Sequence, residues 1–210
     1  MEKSPVETHY DQLYSETEAA FGGEKGAPEI FVTQLPKYFK EGKVLELGAG
    51  QGRNALWLAR QGFQVEARDI SSVGVDRIKK ISGDEKLGIQ VTRADAREQL
   101  QTSYSAILST YMLHHLTNDE AREVISQMKN HTHPHGYNLV TVFTREGDFF
   151  KRDSTANKFY PNLGELREMY DDWETLEYEE AKTKARARKE NGEPMFNISA
   201  KILARKPGLD

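Results

Sequence analysis

The chain contains no cysteine. That excludes disulfides, thiolate metal sites and a cysteine nucleophile, and it fits a cytoplasmic protein. No apolar run approaches the roughly 20 residues a membrane-spanning helix requires, and no signal-peptide pattern opens the sequence. Charge of one sign is not in large excess either. A formal net charge of −4 gives no global attraction to nucleic acid or anionic lipid, so any anion binding must be local. Internal repeats and low-complexity segments are also missing. What remains is 210 residues, 37% hydrophobic and 30% charged, enough for one α/β domain with a substantial core.

Apolar periodicity divides that domain. Residues 1–40 read as a helical lead-in, with segments from His9 to Ala20 and from Pro28 to Phe39 on either side of Gly22-Gly23-Glu24-Lys25-Gly26. From residue 41 to 210 strands and helices alternate, which argues for a parallel sheet. Strands are expected at Val44-Leu45, Gln64 to Arg68, Gly88 to Arg93, Tyr104 to Thr110 and Tyr137 to Phe143, the last after a turn at Pro134-His135-Gly136. Thr117 to Glu120 has capping-box spacing and predicts a helix to about Lys129. Leu163 to Tyr170 reads as helix. Thr175 to Ala187 and Phe196 to Arg205 flank Asn191-Gly192, a hairpin signal.

The chemistry begins at Glu46-Leu47-Gly48-Ala49-Gly50-Gln51-Gly52, between the first strand and the pattern Asn54 to Ala59. Strand, glycine loop and helix in that order make the place where open α/β sheets bind nucleotide-like ligands. The third glycine of a dinucleotide loop would fall on Arg53, and Glu46 at the strand end suits a cationic amino group better than a pyrophosphate. Arg53, at the start of the next helix, can pair with a ligand carboxylate. Asp69, 21 residues after Gly48, closes the second strand and can accept both hydroxyls of a ribose; the other reading is that it merely opens a helix capped by Ser71. Asp95, followed by Ala96, closes the third strand. Three acids ending three successive strands are more specific than any one of them.

These residues resemble motif I and its successors in class I S-adenosylmethionine methyltransferases. Gly50-Gln51-Gly52-Arg53-Asn54, Ile107 to Thr110, Gly136 to Val140, Leu166 to Tyr170 with Trp173, and Leu203 to Lys206 are similar, more narrowly, to the TehB-like, tellurite-resistance branch. The resemblance implies a Rossmann-like methyltransferase fold: a seven-stranded, mostly parallel sheet with an antiparallel last strand and helices on both faces. It implies S-adenosyl-L-methionine as cofactor, held by Tyr14, Glu46, Gly48, Ala49, Gly50, Arg53, Asn54, Asp69, Ile70, Asp95, Ala96 and Ser109. Asp95 would then accept the adenine amino group. Tyr10-Asp11-Gln12-Leu13-Tyr14 resembles the lid before many such cores, though an ordinary amphipathic surface helix fits as well.

The acceptor side is implied by the same resemblance. Ser109 to His115 follow the fourth strand, and Tyr111 and His115 are the residues to test there, His115 either as a base or as a structural histidine. No Asn/Asp-Pro-Pro-Tyr occurs, which argues against methylation of nucleic-acid bases. In the branch, basic and histidine residues before the Asn-Gly turn face the substrate; this chain has Lys182, Lys184, Arg186 and Arg188 and no histidine. On a strand these four cations share a face, either as a charged edge that resists aggregation or as a gate for an anionic acceptor, with Arg186 and Arg188 nearest the chemistry. His131, His133 and His135 have metal-like spacing, but Pro134 and Gly136 break their convergence, so no metal is expected. The expectation is a methyltransferase acting on a small molecule such as an oxyanion of tellurium or selenium or a thiol. Nucleic acid and membrane are not expected partners, and the chain would be a monomer or homodimer. A nicotinamide-dependent oxidoreductase and an inactive binding module of the same fold remain the alternatives.

Overall fold

The computed structural model describes residues 3–17, 20, 26–153 and 157–208. Seven strands form one sheet: β1 (Lys43–Leu47), β2 (Gln64–Asp69), β3 (Gln90–Arg93), β4 (Tyr104–Thr110), β5 (Thr132–Phe143), β6 (Glu174–Arg188) and β7 (Pro194–Arg205), in the order β3-β2-β1-β4-β5-β7-β6. The first five run parallel, and β7 enters antiparallel between β5 and β6. The strand order reverses between β1 and β4, so a crevice is expected outside their carboxyl ends.

Both faces of the sheet are covered. On one, Ile107, Val140 and Ile202 pack against Ala121, Val124 and Met128 of α5 (Asn118–Asn130) and against Leu166 of the single turn α7 (Glu165–Glu168). On the other, Val44, Leu108 and Leu139 meet Leu35 of α2 (Leu35–Tyr38), Ala55 and Leu58 of α3 (Arg53–Arg60) and Ile78 of α4 (Ser72–Asp84). Leu108 is fully buried, and truncating such a side chain to alanine costs about 2–5 kcal/mol. The helices begin where local chemistry lets them. Thr117 and Glu120 form the expected capping box for α5, and the Ser71 hydroxyl accepts the Gly74 N–H at the start of α4.

Several boundaries differ from expectation. The first helix, α1, is Pro5–Glu16, because Ser4 caps it and Pro5 suits its first turn. Residues 22–25 of the glycine stretch lie outside the described residues. Pro28 to Phe39 holds only a 3-10 turn, Val32–Gln34, and the one turn of α2. Pro134-His135-Gly136 does not end a segment: β5 runs through it with a register irregularity and with His135 at φ 62°. The 163–170 helix shrinks to α7, and an unanticipated α6 (Asp148–Arg152) follows β5.

Candidate functional site

The loop after β1 is folded tightly. Gly48, Gly50 and Gly52 take φ of 74°, 57° and 90°, a region that favours glycine. The Gly48 and Ala49 N–H groups both donate to Arg68 O, at 2.9 and 3.0 Å, which binds the loop to β2. A Cβ on Gly50 would lie 2.9 Å from the Tyr14 hydroxyl, and one on Gly74 would lie 2.5 Å from Gly50 O. Loop, α1 and α4 therefore meet in a junction with no room for a side chain.

The acids at the strand ends are buried. Glu46, 1% exposed, accepts from Asn54 Nδ2 at 2.7 Å through Oε1, while its Oε2 has no hydrogen-bond partner among the described residues. Burial pushes the Glu46 carboxyl up to about 7, against the pull of the Asn54 amide and the nearby Arg53 guanidinium. Asn54 uses its whole amide: Nδ2 also donates to Thr110 Oγ1 at 3.0 Å, and Oδ1 accepts the Glu29 N–H at 2.9 Å. Asp69 accepts the Gly50 N–H at 2.7 Å and the Ser71 N–H at 2.8 Å; burial raises its carboxyl despite both bonds. Each of its oxygens keeps a lone pair for a further donor. Asp95 follows Ala94, whose N–H donates to Asp69 O at 3.0 Å, and is engaged by Arg97, whose Nη2 lies 2.6 Å away and which holds the carboxyl below its usual range. Ile70 and Ala96 are half-buried just past β2 and β3.

The helix α1 lies over these groups. Its Asp11 accepts from the Ser71 hydroxyl at 2.6 Å, the Ser72 hydroxyl at 3.1 Å and the Val73 N–H at 3.3 Å, and it pairs with Lys3. Burial alone would push the Asp11 carboxyl up, yet these donors hold it at about 2. Glu7 pairs with Arg93 on β3. Tyr14, 6% exposed, rests on Gly50, and Tyr10 Oη lies 2.7 Å from His115 Nε2. The helix thus buries Glu7, Asp11 and Tyr14 against the glycine loop, β3 and α4.

Near the end of β4, Ser109 is fully buried, with its Oγ unpartnered among the described residues. Tyr111 takes φ 54°, unusual for a bulky residue, and its N–H donates to Thr141 O at 2.8 Å. Its ring lies 4.8 Å from that of Phe143. Burial first, and the Lys158 ammonium second, bring the His115 imidazole down to about 4, so it is neutral at physiological pH.

The family model for tellurite resistance protein TehB matches residues 28–200. The chain belongs to the TehB family. It is 33% identical over 176 residues to the probable S-adenosyl-L-methionine-dependent methyltransferase TehB of Haemophilus influenzae, covering 83% of this chain and 61% of that protein. It is 35% identical over 170 residues to hemagglutinin 1 of Eikenella corrodens, covering 79% and 55%. The crystal structure of Haemophilus influenzae TehB matches with a TM-score of 0.76 and 30% identity over 95% of this chain and 66% of that one. The chain thus spans less than two thirds of the length of these curated relatives. Phosphoethanolamine N-methyltransferase 2 of Haemonchus contortus, solved with S-adenosyl-L-methionine, shares the fold at a TM-score of 0.70 and 19% identity.

Not every expected site residue of this TehB-family chain converges. Arg188 pairs with Pro194 at the tip of the β6–β7 hairpin and donates from Nη1 to Gly192 O at 2.8 Å, whereas Tyr111 meets β7 at Ser199. Lys182 and Lys184 are exposed, Lys182 lying over the Phe196 ring. The side chain of Arg186 lies outside the described residues. His131 binds back to Gln127 O, while His133 and His135 are exposed. Among the described residues no helix is long and apolar enough to cross a membrane. A cleft of about 420 Å³ bordered by Lys43, Phe63 and Gln64 lies at the amino ends of β1 and β2, the opposite edge from the acids. The sequence singled out Asp11 only as part of the Tyr10–Tyr14 segment, and it holds no local signal for the roles of Glu29, Phe143 and Phe149.

Proposed function

We propose that this chain is an S-adenosylmethionine-dependent methyltransferase acting on a small acceptor that carries a soft nucleophilic atom. The observation that carries the reading is Glu46: a buried carboxylate with an unpartnered oxygen, beside Arg53 and a glycine loop. Together they suit the ammonium and carboxylate of an amino-acid moiety, which a nicotinamide cofactor lacks. Asp69 would take the ribose hydroxyls, and the backbone of Gly48, Ala49 and Gly50 would border the donor. Asp95, Ile70 and Ala96 would border the base, with Asp95 accepting the adenine amino group. Tyr10 and Tyr14 would cover the donor and exclude water. The cofactor supplies a methyl carbon made electrophilic by its sulfonium. The chain's part is positioning and dehydration rather than proton transfer, because neutral His115 already engages the Tyr10 hydroxyl.

Thiols and oxyanions of tellurium or selenium are acceptors that bring their own lone pair. The test is transfer of labelled methyl from S-adenosylmethionine to a panel of thiol, tellurite, amine and alcohol acceptors, with Asp69→Ala as control. Label in a thiol or tellurite product, lost in the variant, supports the reading. Label only in amines or alcohols would remove the soft acceptor.

A further inference from the structure

Ring contacts run unbroken from α1 to α6. Tyr10 meets His115 at 5.2 Å, His115 meets His114 at 4.1 Å, His114 meets Phe143 at 4.9 Å, and Phe143 meets both Tyr111 at 4.8 Å and Phe149 at 5.1 Å. We propose that Tyr111, His114, Phe143 and Phe149 form the wall of the acceptor pocket and that the acceptor is a small arene thiolate, an inference that rests on the methyltransferase reading above.

Three observations carry it. First, the wall is in the right place. Tyr111 follows β4 directly after Thr110, which accepts from Asn54, and Asn54 also holds Glu46. Phe143 ends β5 beside it. The left-handed backbone of Tyr111 is a strained conformation that the fold maintains while its ring lies against Phe143. Tyr111, Phe143 and Phe149 remain partly exposed, so the wall is not simply interior core.

Second, three cations beside the wall, Arg152, Lys158 and Lys201, already face carboxylates. Arg152 stacks 4.7 Å from Phe149 and pairs with Asp153 at 3.0 Å. Lys158 pairs with Asp153 at 3.2 Å, and Lys201 lies 3.6 Å from Glu29 and 2.8 Å from Glu179. A strongly hydrated oxyanion would surrender its water to matched charges, whereas a flat arene gains from offset and edge contacts with these rings.

Third, His115 Nε2 is engaged with the Tyr10 hydroxyl, and burial makes the imidazole a weak base. An arene thiol ionises readily and arrives as thiolate. Its sulfur lone pair forms the new sulfur–methyl bond while the pair of the breaking sulfonium–methyl bond withdraws onto the donor sulfur. One anion and one cation become two neutral thioethers, and no proton has to be placed. A reaction that cancels charge is favoured in an apolar, dehydrated pocket.

The test has a kinetic and a binding arm. With S-adenosylmethionine, 4-nitrobenzenethiol, whose thiolate colour is lost on methylation, should exceed 2-mercaptoethanol and tellurite in kcat/KM by about ten-fold or more. Phe149→Ala, in the short helix α6, should raise KM for the arene thiol about five-fold or more and leave S-adenosylhomocysteine affinity unchanged. Calorimetric titration of 4-nitrobenzenethiol into the protein saturated with S-adenosylhomocysteine should show the same weakening in Phe149→Ala and recovery in Phe149→Tyr. Preference for tellurite or 2-mercaptoethanol, no arene-thiol binding, or an indifferent Phe149→Ala would each overturn the proposal. Failure of S-adenosylhomocysteine to bind the parent chain would instead remove the methyltransferase reading beneath it.

Discussion

Asn54 Nδ2 donates to Glu46 Oε1 at 2.7 Å and to Thr110 Oγ1 at 3.0 Å, so one side chain of α3 ties the end of β1 to the end of β4. The second oxygen of Glu46 is left without a partner among the described residues. Replacing Asn54 by leucine leaves a buried carboxyl and the Glu29 N–H without their partner, and should destabilise the fold by about 1–3 kcal/mol. Urea denaturation reads this as a lower midpoint at an unchanged slope. A midpoint equal to that of the parent would show that the network contributes nothing net.

Glu46 predicts a pH signature for cofactor binding. Its carboxyl, held up at about 7 by burial, is largely protonated below that pH, and a ligand ammonium binds the carboxylate form. Affinity for S-adenosylhomocysteine should therefore strengthen as pH rises through 7, and binding at pH 6 should release close to one proton. Calorimetry in buffers of different ionisation enthalpy measures the proton directly. In Glu46→Gln the release should vanish; an equal release in that variant would assign it to another group.

Gly74 predicts an inversion of ordinary helix chemistry. Glycine to alanine in a helix usually adds about 1 kcal/mol of stability. At Gly74 the new Cβ would stand 2.5 Å from Gly50 O, a backbone atom that cannot turn aside. Gly74→Ala should lower stability and weaken S-adenosylhomocysteine binding together, while Gly83→Ala, with open space around it, should do neither. A stabilised Gly74→Ala would contradict the tight junction of loop, α1 and α4.

His115 predicts an acid window. In the fold it stays neutral down to about pH 4, whereas an unfolded histidine takes its proton near 6.5. Between those values the unfolded chain binds more protons, so this contribution is complete above 6.5 and is lost as the pH falls toward 4, by about 1–3 kcal/mol. The difference in stability between the parent and His115→Gln, followed from pH 7 to 4, isolates it from the other titrating groups. A flat difference would show that His115 is not held neutral.

The sheet was legible because its signals are local. Glycines, strand-end acids and the Thr117–Glu120 box lie within a few residues of what they control, and the Asn191-Gly192 hairpin appears where expected. The Ser4-Pro5 start of α1 was also written locally, with Glu7 three residues after the cap. β5 was harder, because a proline and a glycine announce a turn, yet the strand passes them as an irregularity between Thr132, paired with Tyr104, and Tyr137, paired with Ala106. The site's second half was not readable at all. Lys201 meets Glu29, and Phe143 meets Phe149 and Tyr111, only after the sheet is assembled. The alternation of Lys182, Lys184, Arg186 and Arg188 was real, yet Lys182, Lys184 and Arg188 are exposed on an edge strand.

The central claim is that the carboxylates ending β1 and β2 belong to an S-adenosylmethionine site. Thermal unfolding with S-adenosylhomocysteine and with NADH, for the parent chain and for Asp69→Ala, tests it most directly, since a ligand that binds only the folded state raises the melting temperature. The account predicts a rise with S-adenosylhomocysteine that is lost or sharply reduced in Asp69→Ala, and no rise with NADH. A rise with NADH alone, or an equal rise with S-adenosylhomocysteine in a folded Asp69→Ala, would contradict it.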